Sequence, residues 1–271
     1  MSSSRPTRGF TLVELLTLLA LAAFAVMLLI PALAHTQPNS LSVRCLNNLR
    51  QLGAAWRMYA DDNSGRLVWN RGGTDVTKGD WVGGSWLDFT SLSDNTNTGP
   101  LIDHAKYPSG AWLGPYVKSA AVFKCPADHS TVTIAGQKWP RVRSVSMNNW
   151  VGEASPSFVT PSQFQFYRKI DAIGKPAPAG LWIILDEREE SINDGLFFTN
   201  PDTAWSLVDY PAAYHDQGAG FVFADGHSEI HRWVDRRTAP VLIPGQLPPF
   251  NTIFPGDVDI TWLQQHATSK P

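Results

Sequence analysis

An apolar run near the N-terminus constrains this chain more than any other part of its sequence. From Leu15 to Ala34, only Thr17 and Pro31 interrupt a stretch of apolar, helix-forming residues. About 20 helical residues, at roughly 1.5 Å each, cross the hydrocarbon core of a bilayer. Because the preceding charged residues, Arg5 and Arg8, are basic, the N-terminus is expected in the cytoplasm. The run therefore predicts one membrane-spanning helix with the rest of the chain outside.

The same run has a second interpretation, in which it is a secretory signal. Ala32-Leu33-Ala34 matches an A-x-A cleavage site, and cutting there would release a soluble protein that begins at His35. Glu14 distinguishes the two interpretations. A carboxylate at the start of an apolar helix is costly unless it has a partner, and an ordinary signal peptide has no use for one. Glu14 therefore favours a helix that is retained.

The residues around Glu14 carry a resemblance. The segment RGFTLVE at residues 8–14, followed by an apolar helix, resembles the N-terminal cleavage and methylation motif of type IV pilins and of type II secretion pseudopilins. The resemblance implies that a prepilin peptidase cuts between Gly9 and Phe10 and that the new amine of Phe10 is methylated. It also implies that Glu14 pairs with the N-terminal amine of a neighbouring subunit, which would compensate its burial. A carboxylate that reaches interfacial water is the alternative.

A second, amphipathic helix is predicted after the apolar run. In NSLSVRCLNNLRQLGAAWRMYADDNSG, apolar residues recur at spacings of three and four and form a single stripe. The stripe consists of Cys45, Leu49, Leu52, Trp56 and Tyr59. Pro38, which precedes Asn39 and Ser40, predicts a kink or a restart between the two helices. In pilins the outer half of the N-terminal helix packs on a globular head, so the stripe is expected to face a head.

The remainder of the chain predicts a loop-rich head with short strands. The sequence has 11 tryptophans, 21 glycines and 20 prolines, with only 17% charged residues. Two segments are typical of strands, RVRSVSMNNW and GLWIILDE. A hairpin that turns at Asp225-Gly226 is predicted for GFVFADGHSEIHRW, and a short helix for DVDITWLQQHA. The predicted fold class is α+β and pilin-like: a long membrane-spanning N-terminal helix packed on a head with an antiparallel sheet.

This organisation divides the chain into four segments. They are a leader peptide at 1–9, a transmembrane assembly helix at 10–34, an amphipathic helix at 35–64 and a head at 65–271. Within the head, HDQGAGFVFADG resembles the H-x9-DG processing-associated module of prepilin-like proteins. This module spans residues 215–226, and the residues that match its motif are His215, Asp225 and Gly226. His215 is expected to brace the hairpin through hydrogen bonds rather than to act as a catalytic base.

Two groups of residues in the head are candidate metal ligands. His227, Glu229 and His231 alternate along a predicted strand, so they could project from one face and hold a divalent metal. A solvated face of the hairpin is the alternative. Asp186 and Asp225 could join in a calcium site, since some pseudopilins carry calcium in their heads. The prediction is no cofactor, with calcium as the open alternative.

The two cysteines predict a disulfide. Cys45 and Cys125 are the only cysteines of the chain, and both are expected on the oxidising side of the membrane. A bond between them would tie the amphipathic helix to the head. Two buried free thiols are the alternative.

Several function classes are excluded or disfavoured. The net charge of -2 gives no basic field for nucleic acid, and no Ser-His-Asp elbow, phosphate-binding loop or Cys-x-x-Cys motif indicates an enzyme. The prediction is a pilin-like, non-enzymatic subunit of the bacterial cytoplasmic membrane that assembles into a type IV pilus or a type II secretion pseudopilus. Its expected partners are a prepilin peptidase, other pilin or pseudopilin subunits and the membrane. The alternative is a secreted metal-dependent enzyme or glycan-binding protein released after Ala34, for which the tryptophans would stack on sugars.

Overall fold

The fold is known from a computed structural model of the chain. The described residues are 11–21, 24, 40–72, 79–83, 87, 93–152, 163–241, 243, 246 and 248–271. The predicted cleavage junction, Gly9-Phe10, the proline at position 31 and the Ala34 site lie outside the described residues. All statements below concern the described part of the chain.

Within the described residues the predicted long membrane-spanning helix is not found, so the predicted fold class is wrong. Residues 12–21 form a helix, α1, whose large apolar side chains are exposed. No helix within the described ranges is both long enough and apolar enough to cross a membrane. The helix that packs on the sheet is a separate element, α2 (Leu41–Asp62), with its own N-cap at Ser40. It carries charged and amide side chains on its outer face, so it is amphipathic rather than apolar.

Helix α2 forms because its sequence supplies both a cap and an apolar stripe. The Ser40 hydroxyl accepts a hydrogen bond from the backbone N–H of Val43, which satisfies one of the free donors of the first turn. The stripe residues Cys45, Leu49, Leu52 and Trp56 are buried, while Tyr59 is half-buried. The helix ends where the N–H of the C-cap residue, at position 63, binds the carbonyls of the last turn. Packing of this one face holds α2 against the sheet.

Nine short strands and two further α-helices make up the rest of the described structure. The strands are β1 (Thr131–Ile134), β2 (Gln137–Pro140), β3 (Val145–Asn148), β4 (Trp182–Asp186), β5 (Leu196–Phe197), β6 (Ser206–Leu207), β7 (Gly218–Phe223), β8 (Ser228–Arg232) and β9 (Thr252–Ile253). The helices are α3 (Gly99–Ile102) and α4 (Val258–Gln265), and the short 3-10 helices are Ser93–Asn95, Gly114–Tyr116, Ala120–Phe123, Ile170–Ala172 and Pro178–Gly180.

The central sheet has five strands in the order β5-β3-β4-β7-β8. Neighbouring strands are antiparallel except for β3 and β5, which are parallel. The sheet is therefore mixed rather than antiparallel throughout, because a long connection returns the chain to the outer side of β3. The predicted hairpin is confirmed: β7 pairs with β8 in antiparallel register, and Gly226 in the connecting turn has a φ of +95°.

Two apolar cores lie on opposite faces of this sheet. On one face, α2 packs against β7 through Leu49, Leu52 and Val222. On the other face, α4 contributes Ile260 and Leu263 to a second cluster that includes aromatic residues of β4 and β7. Strand β7 is buried along its whole length because it is covered on both faces. Every residue of β7 that faces α2 is therefore close to the buried stripe of the helix.

Candidate functional site

Four side chains with metal-ligating atoms meet where α2 crosses the sheet. Cys45 comes from α2, Cys125 follows the 3-10 helix Ala120–Phe123, Asp186 ends β4, and His215 precedes β7. Their exposed fractions are 1%, 1%, 0% and 5%. One ligand atom from each residue lies within 4.8 Å of the others. We call this set the Cys-Cys-Asp-His cluster.

Direct contacts already link the four groups. The Cys45 thiol donates to Asp186 Oδ2 over 2.9 Å, and Cys125 Sγ lies 3.2 Å from His215 Nε2. The same imidazole nitrogen is 3.5 Å from Asp186 Oδ2. Asp186 Oδ2 therefore contacts two of the other three residues. The remaining oxygen of that carboxylate, Oδ1, is buried and has no hydrogen-bond partner among the described residues.

A glycine in β7 makes room for the cluster. A Cβ atom built on Gly220 would lie 2.8 Å from Asp186 Oδ2 and 3.1 Å from Cys45 Sγ, so a larger residue would displace the ligand atoms. The backbone N–H of Gly220 instead donates to Asp186 Oδ2 over 3.1 Å. The strand thus approaches the carboxylate closely and holds it by a main-chain hydrogen bond.

Neighbouring groups orient the remaining ligands. His215 Nδ1 lies 3.1 Å from the Ser42 hydroxyl, one turn before Cys45 on α2. This contact leaves Nε2 facing the cluster. The N–H of Ala127 points at Cys125 Sγ over 3.4 Å, and the N–H of Cys125 donates to Ser144 Oγ over 2.8 Å. Supporting hydrogen bonds of this kind fix ligand orientation around metal ions in proteins.

The contacts also shift the acidities of the groups. Burial by itself lowers the pKa of His215, but the hydrogen bonds with Asp186 and Cys125 outweigh it and raise the pKa to about 9. The neighbouring Cys45 side chain is the main cause that lowers the pKa of Cys125, with His215 assisting. The pKa of Cys45 is raised, first by its hydrogen bond with Cys125 and then by burial and the nearby carboxylate. Cys125 is therefore the more acidic of the two thiols.

The donor set defines which ions the cluster could hold. Two thiols, an imidazole and a carboxylate are the ligands that zinc and other borderline or soft transition metals take. Calcium takes six to eight oxygen ligands, so two sulfur atoms do not suit it. The cluster could hold a metal ion, and its chemistry favours a transition metal over the calcium considered from the sequence.

The structure places the predicted site residues in two different regions. It brings Cys45 and Cys125 together, as the predicted disulfide requires, but both are free thiols. Asp186 and His215 belong to the same cluster, whereas Asp225 lies in the exposed hairpin turn. The predicted pairing of Asp186 with Asp225 in one metal site is therefore not formed.

The three hairpin residues do not form a ligand set within the described ranges. His227 Nδ1 lies 2.6 Å from Asp225 Oδ1, and its ring stacks on that of Phe223. The ring of His231 stacks on Trp262, with 3.7 Å between the ring centroids, while Glu229 is exposed. Each histidine ring is thus covered by an aromatic neighbour. This region is a partly solvated hairpin face, the alternative that the sequence left open.

The sequence singled out all four residues of the cluster and paired its two cysteines, but it did not indicate that Asp186 and His215 join them. Cys45 and Asp186 are 141 residues apart, and Cys125 and His215 are 90 apart, so no local spacing links them. The available signal was chemical: two cysteines, the histidine of the H-x9-DG motif and an aspartate at the end of an apolar strand. Only the packing of α2 on β4 and β7 brings them together.

Half of the tryptophans in the described residues, which are sugar-stacking candidates from the sequence, are buried in the cores, whereas Trp139 and Trp205 are exposed. Trp56, Trp81 and Trp182 are fully buried, and Trp150 is 3% exposed. The indole N–H of Trp182 donates to a backbone carbonyl of α4, and that of Trp150 donates to Thr199. These rings pack against other side chains, which is how large aromatic residues usually contribute to a core.

Glu14 has a local role that the sequence did not predict. Its carboxylate accepts hydrogen bonds from the N–H and the hydroxyl of Thr11, at 2.9 and 2.8 Å, and the Thr11 hydroxyl accepts one from the N–H of Glu14 at 3.3 Å. This reciprocal pair is a capping box, which starts a helix by satisfying its free N–H groups. Glu14 therefore defines where α1 begins.

No protein-family model, no curated protein and no solved structure matches this chain. The pilin-like interpretation accordingly depends on the sequence motifs and on the exposed residues of α1, and the candidate metal centre on the geometry of the cluster.

Proposed function

We propose that this chain is a pilin-like assembly subunit in which α1 packs against the α1 helices of neighbouring subunits. The observation that carries the proposal is the exposed apolar surface of α1, which directly follows the prepilin-like junction of Gly9 and Phe10. The partners in this proposal are a prepilin peptidase and other pilin or pseudopilin subunits at the cytoplasmic membrane. The head, at residues 65–271, together with the amphipathic helix before it, is the part that such an assembly would display.

The exposed surface of α1 is large for its length. Its large apolar side chains are between 51% and 73% exposed, and they are Leu12, Val13, Leu15, Leu16, Leu18, Leu19 and Leu21. Burying one such side chain stabilises an assembly by about 1.5–3 kcal/mol. A contiguous apolar surface of this kind is typical of an interaction site. Identical helices of neighbouring subunits are the partners that the junction motif indicates.

The capping box gives the proposal a discriminating variant. Glutamine at position 14 preserves the capping box, because Gln accepts the same hydrogen bonds as Glu, but it removes the charge. Glu14→Gln therefore separates a role in starting α1 from a role in pairing with the amine of a neighbouring Phe10. Glu14→Ala removes both roles and serves as the comparison.

The experiment co-expresses each full-length variant with a prepilin peptidase and measures the mature N-terminus and the crosslinked oligomers. The wild type should begin at Phe10, and Gly9→Val should keep residues 1–9 because the peptidase needs an unhindered backbone. If the amine pairs with Glu14 in a buried interface, loss of the charge costs about 3–5 kcal/mol, so Glu14→Gln should reduce assembly more than about a hundredfold. Equal assembly of Glu14→Gln and wild type would refute the pairing. An N-terminus at His35 would refute the proposed function and favour the secreted alternative.

A further inference from the structure

We propose that Cys45, Cys125, Asp186 and His215 bind one Zn²⁺, and that this ion is a structural clamp between α2 and the sheet. The proposal concerns the head alone and does not depend on assembly through α1. It goes beyond the general metal-binding capacity of the cluster because it names the ion, the complete ligand set and the role.

The number and type of the donors identify the ion. Structural zinc sites in proteins are almost always tetrahedral, with four protein ligands drawn from Cys, His and Asp or Glu. Bonds of about 2.0–2.3 Å place the donors of such a tetrahedron roughly 3.3–3.8 Å apart. The cluster already has contacts of 2.9, 3.2 and 3.5 Å, with all four donors within 4.8 Å. The donors thus lie close to this spacing and need to shift by about 1 Å or less to surround the ion.

The buried carboxylate is a second, independent indication of a cation. Asp186 is fully buried, and its Oδ1 has no hydrogen-bond partner in the part of the chain that the structure describes. A buried polar oxygen without a partner is costly, and buried charges are usually paired or bound to metals. A zinc ion bound among the four side chains would place a positive charge beside this carboxylate. It would also give the close approach of Gly220 a purpose, since that glycine creates the space in which the ligands meet.

The positions of the ligands define the role of the ion. Cys45 lies on α2, whereas Asp186 belongs to β4 and the other two ligands lie in loops outside the strands. One ion therefore joins residues that are up to 170 positions apart in sequence, from Cys45 to His215. Because four protein ligands leave no open position for a substrate, the site is of the structural kind. Because the zinc ion would bind the folded chain and not the unfolded one, its binding would stabilise the folded state by mass action.

A disulfide between Cys45 and Cys125 is the competing state. It would consume both sulfur donors and leave Asp186 and His215 as an isolated pair. Zinc binding and the disulfide are mutually exclusive, so one preparation can be tested for both. Thiol labelling of the denatured chain after chelation of the metal reports the disulfide, and elemental analysis reports the zinc.

The test uses the full chain, purified in mild detergent without reductant and dialysed against Zn²⁺. We expect one zinc per chain, two thiols that become reactive after denaturation with a chelator, and, with Co²⁺ as the probe, the absorption of a tetrahedral ion with thiolate ligands. His215→Gln and Cys125→Ser should each lower zinc affinity more than about a hundredfold. His227→Gln, on the exposed hairpin turn, is the matched control and should bind as the wild type does.

Three outcomes would overturn the proposal. The first is zinc well below stoichiometric in wild-type protein whose thiols are reduced. The second is a quantitative disulfide in protein dialysed against zinc. The third is a Co²⁺ spectrum without thiolate bands, which reports on the folded wild type even where a ligand variant does not fold.

Discussion

Replacing Gly220 with alanine perturbs the cluster without removing a ligand. The new methyl group would lie 2.7 Å from Leu49 Cδ1, 2.8 Å from Asp186 Oδ2 and 3.1 Å from Cys45 Sγ. Carbon atoms in proteins essentially never approach that closely, so α2 or the carboxylate has to move. Gly220 lies in the fully buried strand β7, where the backbone has little freedom to yield. We therefore expect the ligand atoms on α2 and β4 to separate.

The magnitude follows from the contacts. Overpacking a buried site by one methyl group costs about 1–3 kcal/mol of the free energy of unfolding. Displacing two ligands by a few tenths of an ångström should lower zinc affinity by roughly tenfold to a hundredfold, the range seen when groups that orient ligands are removed. Gly220→Ala should therefore reduce both thermal stability and zinc affinity.

Two other glycines provide matched controls. Gly53 lies on α2 in the same interface, but the three atoms nearest to its added methyl group all belong to the apolar side chain of Val222, with Cγ2 at 2.6 Å. Gly53→Ala should change stability while leaving zinc affinity intact. Gly174 is exposed, and a methyl group added there would have no atom within 4 Å, so Gly174→Ala should leave both quantities nearly unchanged.

The assay is competition of each variant with a zinc chelator of known affinity, together with thermal unfolding. We expect a weakened zinc site in Gly220→Ala alone. If Gly220→Ala and Gly53→Ala lost equal stability and both bound zinc as the wild type does, the close approach of β7 would not serve the metal site.

Two further predictions concern the stability of the head. Arg141 is 1% exposed, and its guanidinium donates to three backbone carbonyls. Because these carbonyls would lose their partners, Arg141→Met should lower the free energy of unfolding in urea by about 3 kcal/mol or more. A loss equal to that of the exposed control Arg236→Met would contradict this prediction. Asp257 caps α4 by accepting hydrogen bonds from two N–H groups of its first turn. Asp257→Ala should lower the free energy of unfolding by about 1–2 kcal/mol, and Asp257→Asn, which can still cap the helix, should lower it less. Equal losses in the two variants would show that capping is not the cause.

Local patterns predicted the elements whose signals are local. The stripe of α2 has a period of three and four residues, and each of its first four members is buried against the sheet. The turn at Asp225-Gly226 requires a positive φ, which glycine supplies, so the β7–β8 hairpin could be predicted directly. These features are encoded within ten to twenty residues, and no distant contact changes them.

The features that sequence did not predict depend on distant parts of the chain. The parallel pairing of β5 with β3 joins strands separated by a long connection, which no strand pattern specifies. The apolar run predicted a spanning helix from composition alone, whereas no helix of the described residues is long and apolar enough to cross a membrane. The restart predicted at Pro38, Asn39 and Ser40 agrees with the Ser40 cap of α2. The charge of Glu14 predicted a partner in a neighbouring subunit, while its partner among the described residues is Thr11, three residues away. Thr followed three residues later by Glu is a capping-box pattern, so this local role is encoded in the sequence.

The candidate metal centre could not be predicted from the sequence for the same reason. From the sequence, Cys45 and Cys125 were considered as a disulfide, Asp186 as a calcium ligand and His215 as a brace, each with a separate explanation. Their meeting depends on α2 crossing β4 and β7 at Gly220, a contact that has no signature in any of the four segments. The chemistry of each residue was visible, but their common position was not.

X-ray absorption at the zinc edge tests the proposed zinc clamp most directly, because it counts and identifies the atoms bound to the ion in the intact chain. We expect two sulfur atoms at about 2.3 Å and two nitrogen or oxygen atoms at about 2.0–2.1 Å, with one sulfur lost in Cys125→Ser. A zinc ion surrounded only by oxygen and nitrogen, or an unchanged sulfur signal in that variant, would contradict the clamp.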